Sequence, residues 1–579
     1  MSLDIGLNVI EVDGSATPTV QGASTSVAAF NIATARGLPG KPALVTSFAD
    51  YLARFGGFTA GNVGTYLVKG FFDNGGRLAW VSRYAGAAPN APQAATAALP
   101  AQVPAAQALL GFTAGYRGQP DPGGWGNGVS VSLTPSFTSR LASGTAVAAN
   151  GATLASVTGF TNGDVVVLHG PSDHAVVTLA TLDASTGAVT WTPDLATPAN
   201  FDSTSTVSTA DFDLSISTGE GGQVETFADV SLDHSADRYV VATVNDALRG
   251  SKYVVAADVR QPASTAADCP PPSAVTLSGG VDGTSGTNDI LGDEARRTGF
   301  HAFDATSVQL VCCDSTDPAV VAAALGYCED RGDCMFVGSV PANTVGGGTA
   351  VDYGAQFQGK KVYGALYGPW ITVTDPLSKS AAPIRSIPPT GHVLGVYART
   401  ALTRGIHKAP AGDDARLVGA LDVEYRLSDA EHSRLVRSGS VNGIRLAPGA
   451  GIIIDASRTL STDTRWLYVN VRLLFNYVES SLRDGLRWVR QEPNKDTLWT
   501  TVKYGSVQPF LLGLWRHGAF GTGQAKDVFT IICDATNNPP DEVDKGNLTV
   551  EVFFYPSRPA ETIVVKVGQQ PSRAVVAES

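Results

Sequence analysis

The 579-residue sequence is poor in charge: Asp, Glu, Lys and Arg make up 16% of it. Bases are the scarcer sign, 41 Lys and Arg against 53 Asp and Glu, for a net charge of −12. A nucleic-acid binder needs a basic footprint, so that class is excluded. No apolar run approaches the about 20 residues of a membrane span, so direct membrane insertion is not expected. The opening M-S-L-D-I-G has no basic stretch ahead of an apolar one. No secretory signal is therefore expected, and the chain is expected to fold in the cytoplasm.

Cysteine is also scarce. The six residues are Cys269, Cys312, Cys313, Cys328, Cys334 and Cys533, and no C-x-x-C occurs. The eight histidines are not at zinc-finger spacing beside them, so no metal is expected. Buried reduced thiols are the expectation. The alternative is a redox-sensitive set, because Cys312, Cys313, Cys328 and Cys334 cluster around one strand–helix–strand unit. That unit, strand 308–313, helix 314–329 and strand 333–340, lacks G-x-G-x-x-G and a phosphate-cradling lysine, so no cofactor is expected. Asp375, Ser378 and His392 make a triad only on paper, without a nucleophile elbow. His407-Lys408 has no carboxylate at useful spacing. An enzyme is not expected.

What the chain has in quantity is turns. Gly 63 and Pro 33, with abundant Ala, Ser and Thr, imply many short strands. Single cores stop growing near ~250–300 residues, so several domains are expected. Leu3, Ile5, Leu7 and Val9 alternate with polar or small residues, which is strand periodicity. Gly14 to Pro18 and Gly22 to Ser26 then read as a tether. A tethered strand must add to some sheet to satisfy its backbone. Val27–Ala33 reads as a strand, Ser47 as a helix cap, 66–72 as a helix that Asn74-Gly75-Gly76 ends, and 79–83 as a strand. The Ala- and Pro-rich stretch 85–110 reads as a linker with one short helix. Val129, Val131 and Leu133 alternate, and 212–216 has the same pattern and is a candidate partner. Between them, 136–208 is a run of short strands at roughly ten-residue spacing, an inserted β-sandwich or barrel. Trp191 and His169 are its only candidates for carbohydrate binding.

The stretch 441–567 opens with a turn and the β-branched run 452–454. Asp463 or Thr464 can cap a long helix whose apolar face runs from Leu467 to Val489. A second helix is expected over 496–517, then strands at 528–533, 548–555 and 561–567. This reads as an α+β unit, a mostly antiparallel sheet with helices on one side. Ile563, Val565 and Val567 alternate, and Pro556 and Pro559 separate that last strand from the one before.

Several passages carry a resemblance: P-G-A-G-I-I-I-D-A-S-R-T-L (448–460), R-W-L-Y-V-N-V-R-L-L-F-N-Y-V-E-S-S-L (465–482), W-V-R-Q-E-P-N (488–494), L-W-R-H-G-A-F (514–520) and C-D-A-T-N-N-P-P (533–540). The sequence resembles the contractile tail sheath proteins of phages, R-type pyocins and contractile injection systems. Related wording recurs at 68–83, 123–133, 363–376, 387–400 and 404–412. Family members usually read P-G-R-G where this chain has P-G-A-G, and an aromatic where it has Asp455.

The resemblance implies a multidomain α+β fold: an α/β sheath core plus a C-terminal α+β domain, with an inserted all-β domain. The expected boundaries are an N-terminal strand arm and linker at 1–20, a first part of the core at 21–110, a β-rich outer domain at 111–223, a second part of the core at 224–400 and the C-terminal domain at 401–579. It further implies a structural subunit polymerising as stacked sixfold rings around an inner tube and contracting to drive the tube through an envelope. Expected partners are the chain itself, the tube protein, baseplate proteins and a terminator or cap. Expected location is the bacterial cytoplasm during assembly, then a phage tail or an injection particle. Strand exchange between subunits is expected at Leu3, Ile5, Leu7, Val9, Ile563, Val565 and Val567. Candidate tube-facing residues are Arg483, Arg487, Lys503 and Arg516. The runner-up is a baseplate or tail-surface module whose β-domain recognises a receptor.

Overall fold

A computed structural model describes residues 19–561 except 88, 101–107, 172, 220–221, 223 and 260–272. The expected arm residues Leu3, Ile5, Leu7 and Val9, the tail residues Ile563, Val565 and Val567, and Cys269 lie outside the described residues.

The core is an eight-stranded sheet. Its order is Ala43–Val45, Ala79–Arg83, Ala28–Ile32, Leu310–Cys313, Met335–Ser339, Gly364–Gly368, Val441–Ala447, Gly451–Ile454. The inner six strands are parallel, and each edge strand is antiparallel to its neighbour. Strands buried on both faces read as unbroken apolar runs, as L-V-C-C (310–313) and M-F-V-G-S (335–339) do. Val441–Ala447 and Gly451–Ile454 form a hairpin on this sheet, so the stretch from 441 begins inside the core and not in a separate C-terminal unit.

Helices cover both faces. Phe48–Phe55 starts at Ser47, whose Oγ accepts from the Asp50 N–H. Gly64–Asp73 packs on Thr390–Arg404 so closely that a Cβ at Gly391 would meet the Leu67 carbonyl oxygen at 2.0 Å. On the other face, Pro318–Arg331 runs between Leu310–Cys313 and Met335–Ser339, capped by Asp317 and ended by Gly332 at φ +73°.

The outer domain stacks two antiparallel sheets over one core. One is Glu225–Val230, Phe212–Ser217, Ser130–Pro135 and Ser273–Thr276; the other is Val254–Asp258, Ala108–Tyr116 and Thr96–Pro100. The strands at 96 and 108 correct the expected linker and helix over 85–110. Alanine-rich alternation hides strand character, and the pairing of Ala97 with Phe112 supplies what the local sequence does not show. The candidate partners at 129–133 and 212–216 pair directly, Leu133 facing Leu214. Between them a six-stranded antiparallel sheet, from Thr138–Arg140 to Thr206–Thr209, closes on itself through hydrogen bonds between residues 140–142 and 153–155. Trp191 fills this small barrel at 1% exposure, its indole N–H donating to the Ala149 carbonyl, so it is core and not a binding platform.

The C-terminal part packs its helices against the core and carries a sheet of its own. Its long helix is Val469–Gly485, shorter than expected at both ends. Asp463 caps a turn, accepting from the Arg465 N–H, and 457–469 is folded back into a loop closed by Thr459 N–H to Leu467 O and Val469 N–H to Ser457 O. The second helix runs from Asp496 to Arg516 with a π-helical stretch at Thr501–Val507. Pro509 explains it: proline has no N–H for the Gly505 carbonyl and its ring pushes that carbonyl away. The sheet is one antiparallel pair, Phe529–Ile532 with Glu551–Phe554. The expected strand 548–555 is shortened because Asn538 takes over the pairing of Thr549, at 2.7 Å to its N–H and 3.0 Å to its carbonyl.

Candidate functional site

Strand order reverses between Ala28–Ile32 and Leu310–Cys313, and in open α/β sheets ligands bind outside the carboxyl ends of strands at such a point. Here that place is filled with protein. Asp314 accepts from the Ala33 N–H and the Tyr84 hydroxyl, both at 2.9 Å, and the Asn31 amide donates to the Ile290 carbonyl at 2.8 Å. Burial pushes the Asp314 carboxyl up to about 6, against the pull of those two donors.

The paper triad does not assemble. Asp375 accepts from the Tyr66 hydroxyl and Ser378 lies in the adjoining turn. His392 is buried where Thr390–Arg404 crosses Gly70, and burial brings it down to about 4. Among the described residues no group of three or more His, Cys, Asp or Glu is placed to hold a metal ion. No helix there is long and apolar enough to cross a membrane.

One surface with unmet bonding capacity among the described residues is the small C-terminal sheet. Its inner face is aromatic: Phe554 stacks on Phe475 of the long helix with centroids 4.3 Å apart and meets Phe520 at 5.1 Å. Its outer face shows Phe553 and Tyr555, both more than half exposed. Among the described residues, each strand has only the other as partner, so each keeps a free edge of N–H and C=O groups. Beside it runs a groove of about 810 Å³ with Leu486, Val489, Leu498, Val502, Leu548 and Val550 at its base.

Both chain ends leave from this region. At the N-terminal root, Val20 is buried against Gly485, where a Cβ would meet it at 2.8 Å. The Ala23 N–H donates to Ser481 Oγ at 2.9 Å. At the C-terminal root, Glu561 takes a two-point bond from Arg458, both at 2.6 Å, and a third from Tyr468 at 3.2 Å. Burial pushes the Glu561 carboxyl up, and the Arg458 bonds and charge bring it below its usual range. Ser481 and Tyr468 sit 13 residues apart along one helix, so the two roots lie roughly 20 Å apart at its opposite ends.

Charged groups tie this part to the core. Arg472 is fully buried, with its guanidinium 4.3 Å from the Tyr363 ring and 4.4 Å from the Trp466 ring. Its Nη groups have no hydrogen-bond partner among the described residues, and Glu479 is 3.6 Å away. Two desolvated cation–π contacts, each worth ~2 kcal/mol, stand in for the missing bonds. Sequence spacing gave no sign of this contact, because Tyr363 is more than a hundred residues away. Of the candidate tube-facing residues, Arg483 is ion-paired to Asp333 at 3.2 Å and Lys503 to Asp534 at 3.3 Å. Arg487 and Arg516 are exposed with no partner among the described residues.

Comparison with known proteins adds independent observations. The family described as phage tail sheath protein central domain matches residues 284–460, and phage tail sheath C-terminal domain matches 461–570. The tail sheath protein of Salmonella phage ViI is 26% identical over 175 residues, 30% of this chain and 26% of that one. A putative prophage major tail sheath protein of Pseudomonas aeruginosa is 22% identical over 299 residues, 51% of this chain and 72% of that one. The match thus spans about a quarter of the length of the phage ViI relative. Among solved structures, the sheath of an extracellular contractile injection system in its contracted state aligns with TM-score 0.52 at 15% identity, covering 99% of each chain. A sheath tail protein from Listeria innocua aligns with TM-score 0.53 at 12% identity, covering 93% of this chain and 97% of that one. At these identities the likeness is one of fold.

Proposed function

This chain belongs to the phage tail sheath family, and on that premise we propose that it is the repeating subunit of a contractile sheath in a phage tail or a contractile injection particle. Its role is structural and not enzymatic. Subunits stack as sixfold rings around an inner tube, meet a baseplate at one end and a terminator or cap at the other, and assemble in the bacterial cytoplasm. Contraction releases conformational energy stored at assembly and drives the tube into an envelope. Such a machine needs rigid bodies that rotate and slide while something keeps the subunits joined.

One observation carries this reading: the chain's two ends are rooted at opposite ends of the helix Val469–Gly485, beside a two-stranded sheet with free edges. A strand from a neighbour can extend such a sheet, because its backbone groups meet partners that the lone pair leaves open. The sequence at residues 3–9 and 563–567 has the right alternation for that exchange. Each added hydrogen bond contributes a net ~0.5–1.5 kcal/mol, and several per strand hold a joint while domain faces slip. Arg487 and Arg516 remain the candidates for the tube face.

The test is imaging of the full-length chain, expressed alone and with its tube protein. Helical polymers with sixfold symmetry are the expected product. A protein that stays monomeric at all concentrations, with or without the tube, would remove the sheath assignment.

A further inference from the structure

We propose that Cys328 and Cys334 form a modification site, a dithiol that a small-molecule disulfide oxidises to an intrachain disulfide within one turn of the core. The two Sγ atoms are 3.6 Å apart and both residues are fully buried. Cys328 is in the last turn of Pro318–Arg331. Gly332, at φ +73°, reverses the chain while its N–H donates to the Cys328 carbonyl at 3.0 Å. Cys334 follows immediately before Met335–Ser339. A disulfide bond is about 2.05 Å long, so the sulfurs must close by about 1.5 Å, a distance within reach of side-chain rotation.

No other pair among the described cysteines has this geometry. Cys312 and Cys313 are neighbours on one strand, so their side chains point to opposite faces and lie in separate apolar clusters. Cys533 belongs to the C-terminal part, in the same apolar cluster as Cys312 but on a separate strand end after Phe529–Ile532. The expected four-cysteine cluster thus resolves into one contacting pair and two isolated thiols.

The chemistry balances without a cofactor. One thiolate attacks a sulfur of glutathione disulfide, forming a mixed disulfide and releasing one glutathione thiolate, which takes up the attacking thiol's proton. The second cysteine then attacks the protein-side sulfur of that bond, loses its proton and releases a second glutathione. The cysteines are oxidised by two electrons and the glutathione disulfide is reduced by two.

Burial raises the Cys328 thiol well above its ordinary value, so attack waits for the turn to open. Arg331 holds the turn shut. It bonds Asp333 at 2.8 Å and the carbonyls of Phe303 and Thr306 at 2.8 and 3.0 Å. Asp333 also receives Arg483 from the C-terminal helix, so the linked turn would fix the point where the core meets that helix.

The experiment uses the reduced full-length chain, held folded in glutathione disulfide, then quenched with acid, alkylated, digested and mapped by mass spectrometry. The expected result is a peptide linked between Cys328 and Cys334, lighter by two hydrogens, with the other four of the six thiols alkylated and the link reversed by dithiothreitol. Cys328→Ser and Cys334→Ser should each lack the link; if either fails to fold, the wild-type map decides alone. Free alkylated thiols at both positions after exposure of the folded chain would overturn the proposal. So would a link that appears only once circular dichroism reports unfolding, or pairing of either cysteine with a different one.

Discussion

Arg36 Nε lies 2.9 Å from Asp121 Oδ2, with the two side chains 5% and 1% exposed, and this pair clasps the outer domain to the core sheet. Arg36 follows the first core strand; Asp121 follows the outer strand Ala108–Tyr116. The guanidinium also donates to the Lys252 carbonyl at 2.7 Å and stacks on Trp125 at 3.7 Å. Asp121 accepts the Gly37 N–H at 2.6 Å, and Arg83 stands 4.0 Å away as a second cation. Removing one partner of a buried pair costs ~3–5 kcal/mol, mostly from the charge left behind. Asp121→Ala strands two guanidinium groups, whereas Arg36→Met leaves Asp121 with Arg83 and the Gly37 N–H. Urea unfolding should therefore show the larger loss for Asp121→Ala, and equal losses would discount Arg83 as a reserve partner.

Two buried groups give opposite pH dependences. Asp314 sits in the folded chain at about 6 instead of 3.8, because burial disfavours its charge. The folded state then binds the proton more tightly, so this group's contribution falls by ~3 kcal/mol as pH rises from about 4 to about 6. His392 sits at about 4 instead of 6.5, chiefly through burial, with Asp73 raising it and Lys69 lowering it. The folded state binds that proton less tightly, so its contribution is lost, again by ~3 kcal/mol, as pH falls from about 6.5 to about 4. The windows overlap and offset each other in the wild type. Stability measured against pH for Asp314→Asn and His392→Gln, each subtracted from wild type, should show slopes of opposite sign. Parallel difference curves would mean that one of the two is not titrating as described.

What the sequence reveals follows how local the cause is. The Ser47 cap, the helix end at Asn74-Gly75-Gly76 and the strand–helix–strand unit at 310–339 depend on residues a few positions apart, and each reads directly. The strands at 96–100 and 108–116 do not read, because alanine offers little contrast between faces and the partners decide. Asp463 has the chemistry of a helix cap and caps a turn instead, since Ser457 and Thr459 claim the backbone of residues 467–469 first. The Arg36–Asp121 clasp, the Arg472–Tyr363 contact and the Arg458–Glu561 bond join residues 85, 109 and 103 positions apart. No periodicity or spacing announces such pairs. Residue type makes Arg483 and Lys503 candidates for the tube face, but type alone does not show that each has a carboxylate partner in its own chain.

The small barrel should be removable. Ser130–Pro135 and Phe212–Ser217 pair up to Pro135 and Phe212, and the Ser136 N–H still reaches the Asp211 carbonyl at 3.0 Å. The barrel has its own apolar cluster, around Leu168, Trp191 and Val207. Replacing residues 137–210 by Asn-Gly asks only for a tight hairpin on strands already in register. The shortened chain is expected to fold and to polymerise as the full chain does. Loss of folded protein would show that the outer sheets lean on the barrel.

Charge reversal separates contact with a tube from internal pairing. Arg487→Glu with Arg516→Glu alters exposed cations without a partner in the described chain. This double variant should keep the wild-type unfolding midpoint and lose affinity for the tube. Arg483→Glu and Lys503→Glu instead break ion pairs with Asp333 and Asp534 in which one partner is about half exposed and the other mostly buried, at a cost of ~1 kcal/mol each. Sheath and tube that co-purify unchanged with the Arg487 and Arg516 variant would take both residues off the tube face.

The terminal arm gives the sharpest test of how subunits are joined. Residues 19–23 are fixed to the long helix by Val20 against Gly485 and Ala23 on Ser481, so the tether expected at Gly14 to Pro18 precedes that root in sequence. Leu3, Ile5, Leu7 and Val9 have the alternation to extend a sheet edge in another subunit. Proline at position 7 removes one backbone donor and blocks pairing in the middle of that strand. Deleting residues 1–13 removes the strand and spares the root. Either variant is expected to give soluble subunits with an unchanged far-UV circular dichroism spectrum that form no sheaths. Gly485→Val should act from the other side: its side chain would displace Val20, loosen the root and weaken assembly without abolishing it. Sheaths of normal length that still contract in the Leu7→Pro and truncated chains would mean that the arm is no joint, and that domain faces alone hold the polymer together.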